Sequence, residues 1–210
     1  MNKIIDRTFI IEWGLPKKYI GDIQDYFGVD ESENICSIKI QLLHNVGSKV
    51  LKKEPQILAA IPKGIQPFVI KESLFNTNKI LNNHCQFLYK DDIIFSYTNS
   101  TLDNLINSSL IYKMFSKNVF ALFDDKMQLH YIILKDVSKF NFNKIKSSFN
   151  NEKVIPLFFK IYTYNQDDDT ELINLINEIE ISLEKKDIIN NEICHLLEEE
   201  LEFLKEELEL

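Results

Sequence analysis

The sequence predicts an α+β fold: an antiparallel sheet flanked by helices, with a C-terminal acidic helical hairpin or arm. Three observations lead there. Between Pro55 and Thr98, short apolar runs alternate with turn residues, the texture of an antiparallel meander. Beyond residue 164, leucines and isoleucines recur at helical spacing. The charge also divides: residues 1–164 hold 21 Lys/Arg and 16 Asp/Glu, whereas residues 165–210 hold 3 Lys and 16 Asp/Glu. The chain is therefore read as an α+β domain over 1–164 and an acidic helical extension over 165–210.

Taken in order, Phe9 to Trp13 is an apolar run that stops at Gly14-Leu15-Pro16, a glycine stop followed by a proline suited to a first helical turn. Lys17 to Phe27 is expected as a short amphipathic helix with Tyr19 or Ile20, Ile23 and Phe27 on one face. Residues 30–55 read as a loop with one strand near Ser37–Leu43. Ile57–Ile61, Phe68–Ile70, Gln86–Tyr89 and Ile93–Tyr97 are strand-like, and Asp91-Asp92 marks a hairpin. After Asn107-Ser108-Ser109 the spacing of Leu110, Met114 and Phe115 predicts a helix, with Asn107 or Ser108 as N-cap. Leu157–Tyr164 reads as a strand.

The acidic segment reads as two helices. Leu172, Leu175, Ile176, Ile179 and Leu183 form one stripe; Ile193, Leu197, Leu201, Leu204 and Leu208 form the other. Asp169 or Thr170 can cap the first, Lys185 and Lys186 suit its negative end, and Asn190-Asn191 makes the turn. The expected core comprises Trp13, Leu15, Phe27, Ile57, Phe68, Phe87, Ile94, Leu110 and Phe115.

Composition narrows the function. With 210 residues, 45% hydrophobic and 11% aromatic, the chain affords a sizeable core, which excludes wholesale disorder. A net charge of −8 is the wrong sign for a protein that coats nucleic acid. Of the 24 basic residues only Arg7 is an arginine, so bidentate clamps on phosphates or carboxylates are all but excluded. Three cysteines, no secretory leader and no run of about 18 apolar residues lead to the expectation of a cytoplasmic chain with no membrane partner.

No catalytic constellation stands out. His84-Cys85 and Cys194-His195 could offer four zinc ligands, but adjacent side chains diverge and chelate poorly. Cys85 beside His84 lacks the oriented base that a nucleophile needs. Five scattered glycines form no phosphate cradle. Asp91-Asp92, Asp124-Asp125 and Asp167-Asp168-Asp169 read as turns and a solvated face, and Glu184-x-Lys186 lies on an expected helix, away from any strand edge. Trp13 reads as a core anchor. No cofactor, metal or catalytic residue is assigned.

Two motifs carry a resemblance. Phe9-Ile10-Ile11-Glu12-Trp13-Gly14-Leu15-Pro16, followed by the helix expected to end at Phe27, resembles the opening of SUKH-superfamily domains, where a first helix ends in a Gly-Leu-Pro turn. Asn107-Ser108-Ser109-Leu110, followed by Phe115, is similar to the family's Asn-Ser-Ser-Leu signature, which opens a helix after the sheet. The resemblance covers roughly residues 5–125. It implies an α+β binding module without catalytic residues. In many bacterial members that module is an immunity protein, an antitoxin that occludes a cognate polymorphic toxin, often a nuclease. A non-inhibitory adaptor is the alternative expectation, and a metal-dependent hydrolase the third.

The acidic segment is the candidate partner surface. Glu198–Glu202 and Glu202–Glu206 are like-charge pairs one turn apart, each costing about 0.2–0.5 kcal/mol. Glu206, Glu207 and Glu209 crowd the negative end of the helix dipole. Glu198, Glu199, Glu202 and Glu206 are accordingly the residues expected to meet a basic toxin, against the plainer reading of a solvated face whose leucines dock on the core.

Overall fold

The computed structural model describes residues 2–5, 8–21, 25–42, 65, 68–69, 71–72, 85–97, 110–137, 157–162, 168–184 and 191–208. The α+β class is observed, with two antiparallel sheets in place of one. The first contains β1 (Asn2–Ile5), β2 (Thr8–Glu12), β3 (Lys18–Gly21), β4 (Tyr26–Val29) and β5 (Ile35–Gln41), in the order β1-β2-β5-β4-β3. The second contains β6 (Cys85–Tyr89), β7 (Asp92–Ser96), β8 (Ile111–Ser116), β9 (Val119–Phe123) and β10 (Leu129–Leu134), in the order β6-β7-β10-β9-β8.

The two sheets bury themselves differently. In the first, Phe9, Ile11, Phe27, Ile38 and Ile40 face the core, while Ile10, Lys39 and Tyr26 alternate outward, the period-2 pattern of a one-sided sheet. In the second, β7, β9 and β10 are buried along their whole length. Ile93, Phe95, Ala121, Phe123, Ile132 and Leu134 join the main core. Ile94, Phe120, Leu122, Tyr131 and Ile133 form a second apolar cluster on the opposite face. That explains why these strands read as continuous apolar runs.

Two hairpins close on the same device. Between β4 and β5, Asp30 Oδ1 accepts the backbone N–H groups of Ser32 (2.8 Å) and Asn34 (2.9 Å), and Glu33 adopts φ 63°. Between β9 and β10, Asp124 Oδ1 accepts from Lys126 (2.9 Å) and Gln128 (2.8 Å), and Met127 adopts φ 59°. In both, the aspartate organises the turn and a non-glycine residue accepts a left-handed backbone. The β6–β7 turn is tighter, with Tyr89 paired to Asp92 and Lys90 at φ 57°.

Aromatic contacts join the layers. Trp13 stacks on Phe115 at 5.8 Å between centroids, and Phe27 approaches Tyr97 at 6.4 Å, each linking one sheet to the other. Phe9 meets Phe159 edge-on at 5.4 Å. Residues 157–161 form a single helical turn whose Leu157, Phe158, Phe159 and Ile161 are buried.

Two helices follow, α1 (Asp169–Glu184) and α2 (Asn191–Glu207). Asp168 caps α1, its Oδ1 accepting the N–H groups of Thr170 (3.0 Å) and Glu171 (3.1 Å). Leu172, Leu175, Ile176 and Ile179 of α1, with Leu197, Leu201 and Leu204 of α2, belong to the same core cluster as both sheets. Each fully buried leucine or isoleucine contributes about 1.5–3 kcal/mol relative to exposure. The exposed Lys160–Glu178 ion pair contributes about 1 kcal/mol at most, so the stripe holds the helices. One polar chain also ties α2 inward. Gln86 Nε2 donates to the Tyr162 carbonyl (2.9 Å), and the Tyr162 hydroxyl donates to Glu200 Oε1 (2.8 Å), with all three residues buried.

Several expectations are corrected. The helix expected over Lys17–Phe27 is instead β3 and the start of β4, paired Tyr19 to Gly28 and Ile20 to Phe27. The helix expected after residue 109 is β8, an edge strand paired with β9. Leu157–Tyr164 is helical over residues 157–161, where a strand was expected. The cap of α1 is Asp168, one residue before the expected Asp169 or Thr170, and Asn191 opens α2 itself. Within the expected core, Leu15 is 89% exposed and Phe68 38% exposed, while Trp13 and Leu110 are half-buried. Phe27, Ile94 and Phe115 are buried as expected. Ile57 and the side chain of Phe87 lie outside the described residues, as do Lys185 and Lys186.

Tyr162→Phe is expected to lower stability by about 1–3 kcal/mol, because a buried carboxylate loses its phenolic donor. Glu200→Gln keeps an acceptor there and is expected to cost less. Urea unfolding of both variants measures this, and a Tyr162→Phe loss under about 0.5 kcal/mol contradicts it.

Candidate functional site

The four candidate glutamates follow from the register of α2. Its inward side carries Leu197, Glu200, Leu201 and Leu204, so Glu198, Glu199, Glu202 and Glu206 fall on the solvent side and are exposed. They share one outward surface of one helix. His195 Nδ1 lies 3.7 Å from Glu198 Oε2, with both side chains mostly solvated. Lys205 bridges α2 to α1 through Glu180 Oε1 at 2.8 Å. That hydrogen bond, first among its causes, together with the charges of Glu180 and Glu202, raises the Lys205 ammonium above its ordinary value.

The signature residues lie elsewhere. After β2 the chain turns through Trp13 and Gly14, whose N–H groups both donate to the Cys36 carbonyl at 3.0 Å. A Cβ at Gly14 would stand 2.7 Å from Cys36 Cβ, so a side chain there would push β5 away. Leu15 then projects into solvent, and Pro16 lies against Gly28, where an added Cβ would meet it at 2.8 Å. Leu110 immediately precedes β8; Asn107, Ser108 and Ser109 lie outside the described residues.

The remaining titratable candidates have structural roles. Asp92 pairs with Lys135 and accepts the Asp136 N–H at 3.0 Å, and the Asp91 carbonyl accepts from Val137 at 2.8 Å. Asp124 organises its hairpin, Asp168 caps α1, and Glu184 ends it. Burial, reinforced by the charges of Asp30 and Glu12, pushes the Cys36 thiol up, which suppresses the nucleophilic thiolate. Among the described residues, no group of three or more His, Cys, Asp or Glu side chains is placed to hold a metal ion. His84 and the side chains of Cys85 and Cys194 lie outside them.

One buried acid–imidazole pair escaped the sequence reading. Asp124 Oδ2 lies 3.3 Å from His130 Nε2, and His130 is 4% exposed. The arrangement resembles two-thirds of a hydrolytic triad, but His130 Nδ1 is buried with no hydrogen-bond partner, so no hydroxyl or thiol among the described residues is poised against it. Its sequence signal was only a carboxylate six residues before a histidine, across a turn.

Burial raises the Asp124 carboxyl, but hydrogen bonds from the Gln128 backbone, the His130 ring and the Lys126 backbone outweigh it, and the net shift is downward from 3.8. A depressed folded value stabilises the fold above the unfolded value, and the contribution disappears as pH falls through the folded one. The stability difference between the protein and Asp124→Asn is therefore expected to shrink as pH falls below about 4. Thermal unfolding of both across pH 2–7 checks this; a difference independent of pH throughout contradicts it.

No family model, curated protein or solved structure matches the chain.

Proposed function

We propose that this protein is a non-catalytic binding protein, an immunity protein that blocks a cognate toxin by occlusion. The observation that carries the reading is the outward placement of Glu198, Glu199, Glu202 and Glu206 on a helix whose opposite face is anchored in the core. A solvated face needs no such concentration of like charge. A basic partner offsets the repulsion and gains encounter rate from long-range attraction. The sequence resemblance to SUKH domains suggests a toxin as that partner, although β2 and β8 stand where that resemblance implies helices, and a nuclease, whose cleft is basic, suits an acidic surface best. Such toxins act in the cytoplasm, where this reading places the chain. No helix among the described residues is long and apolar enough to cross a membrane.

The test is co-expression with the toxin encoded beside this gene. Survival of the cells supports immunity; death as rapid as without the protein overturns it, and binding without protection leaves the adaptor. Replacing Glu198, Glu199, Glu202 and Glu206 with Gln is expected to slow toxin association at low salt about tenfold or more and to flatten its salt dependence. Fold stability should hold or rise slightly, since the like-charge pairs disappear. An unchanged association rate removes the acidic face from the interface.

A further inference from the structure

The first of the two helices is apolar on more than the side the core uses. Leu172, Leu175, Ile176 and Ile179 satisfy the core, yet Ile173 and Ile181 lie on the solvent side, 46% and 48% exposed. Single exposed isoleucines are ordinary on protein surfaces. These two are eight residues apart, so they stand about 12 Å from each other along one side of the helix, with exposed Asn177 between them.

The surroundings are acidic. Glu184 lies on the same outward side, and Glu180 borders it and joins Lys205 of α2, the residue also within the field of Glu202. The isoleucine pair therefore adjoins the glutamate surface of α2 through the Glu180–Lys205 contact. An apolar centre with a charged rim is the anatomy of a protein-binding patch. Its charge selects a basic partner, and its linear spacing of about two turns matches apolar side chains at i and i+7 of another helix.

Resting on the proposed basic partner, we infer that Ile173 and Ile181 are the apolar anchors of the interface and that the bound element is a basic amphipathic helix. The glutamates supply attraction at long range; the isoleucines supply the desolvated contact that slows dissociation.

The probe is a synthetic lysine–leucine peptide with leucines on one helical face, compared with a control whose leucines are replaced by serine at the same net charge. Binding to the full chain is measured by fluorescence anisotropy at low and high salt. The leucine peptide is expected to bind more tightly than the control. Ile173→Ser/Ile181→Ser should weaken it about tenfold to a hundredfold, and Ile173→Leu/Ile181→Leu should leave it within about threefold. Because both positions are solvent-facing, circular dichroism should report an intact fold for both variants. Equal binding of the two peptides, or no effect of the serine variant, overturns the anchors while leaving the electrostatic reading intact. Failure of both peptides to bind at low salt overturns both.

Discussion

The C-terminal helices are held by their apolar stripe, and within that stripe sits a carboxyl group that is not at the surface. Glu200 belongs to a run of three glutamates, yet it is 1% exposed and accepts the Tyr162 hydroxyl. Burying a carboxyl group is costly unless hydrogen bonds offset its lost hydration, and Tyr162 supplies one to Oε1 while its own carbonyl accepts from buried Gln86. The chain of contacts runs from β6 through Tyr162, just after the helical turn at 157–161, to α2. Together with Leu197, Leu201 and Leu204 it fixes the rotation of α2, and that rotation decides which glutamates face solvent.

Around that link, the packing is mostly aromatic and aliphatic. The second sheet is buried on both faces, so its central strands have little tolerance for polar residues and little freedom of register. The turns between strands carry the polar chemistry instead. Asp30 and Asp124 each organise a five-residue connection with side-chain acceptors, and Asp92 secures the end of β10 through Asp136. Asp92, Asp124 and Asp168, from acidic runs that resemble metal ligands in a linear sequence, thus serve as turn and cap residues, and the four glutamates of α2 form an exposed acidic surface on one helix.

The two helices then divide the work of recognition in the proposed interface. On α2, repulsion among exposed carboxylates is a standing cost that an approaching cation relieves. On α1, two isoleucines leave apolar area in water that a complementary side chain would remove. Neither contribution requires the core to move, which suits a protein that inhibits by covering a surface.

By itself, the sequence determined the parts whose signals are local and long. Both C-terminal helices are legible because apolar spacing persists over about three turns in the first and four in the second, and the hairpin at 89–92 because two β-branched and aromatic runs flank a two-residue turn. The four exposed glutamates were legible too, since they fall between the leucines. Short segments were decided by tertiary pairing. Lys18–Gly21, Tyr26–Val29 and Ile111–Ser116 have apolar spacings that fit one helical face or one strand, and pairing of β3 with β4, β4 with β5 and β8 with β9 makes them strands. Leu15 looked apolar enough for the core, but the Trp13 and Gly14 bonds to the Cys36 carbonyl turn it outward. The burial of Glu200, the pairing of Asp124 with His130 and the exposure of Ile173 and Ile181 depend on where distant segments come to rest. A side chain's type is local, but its access to water is set by its neighbours in space.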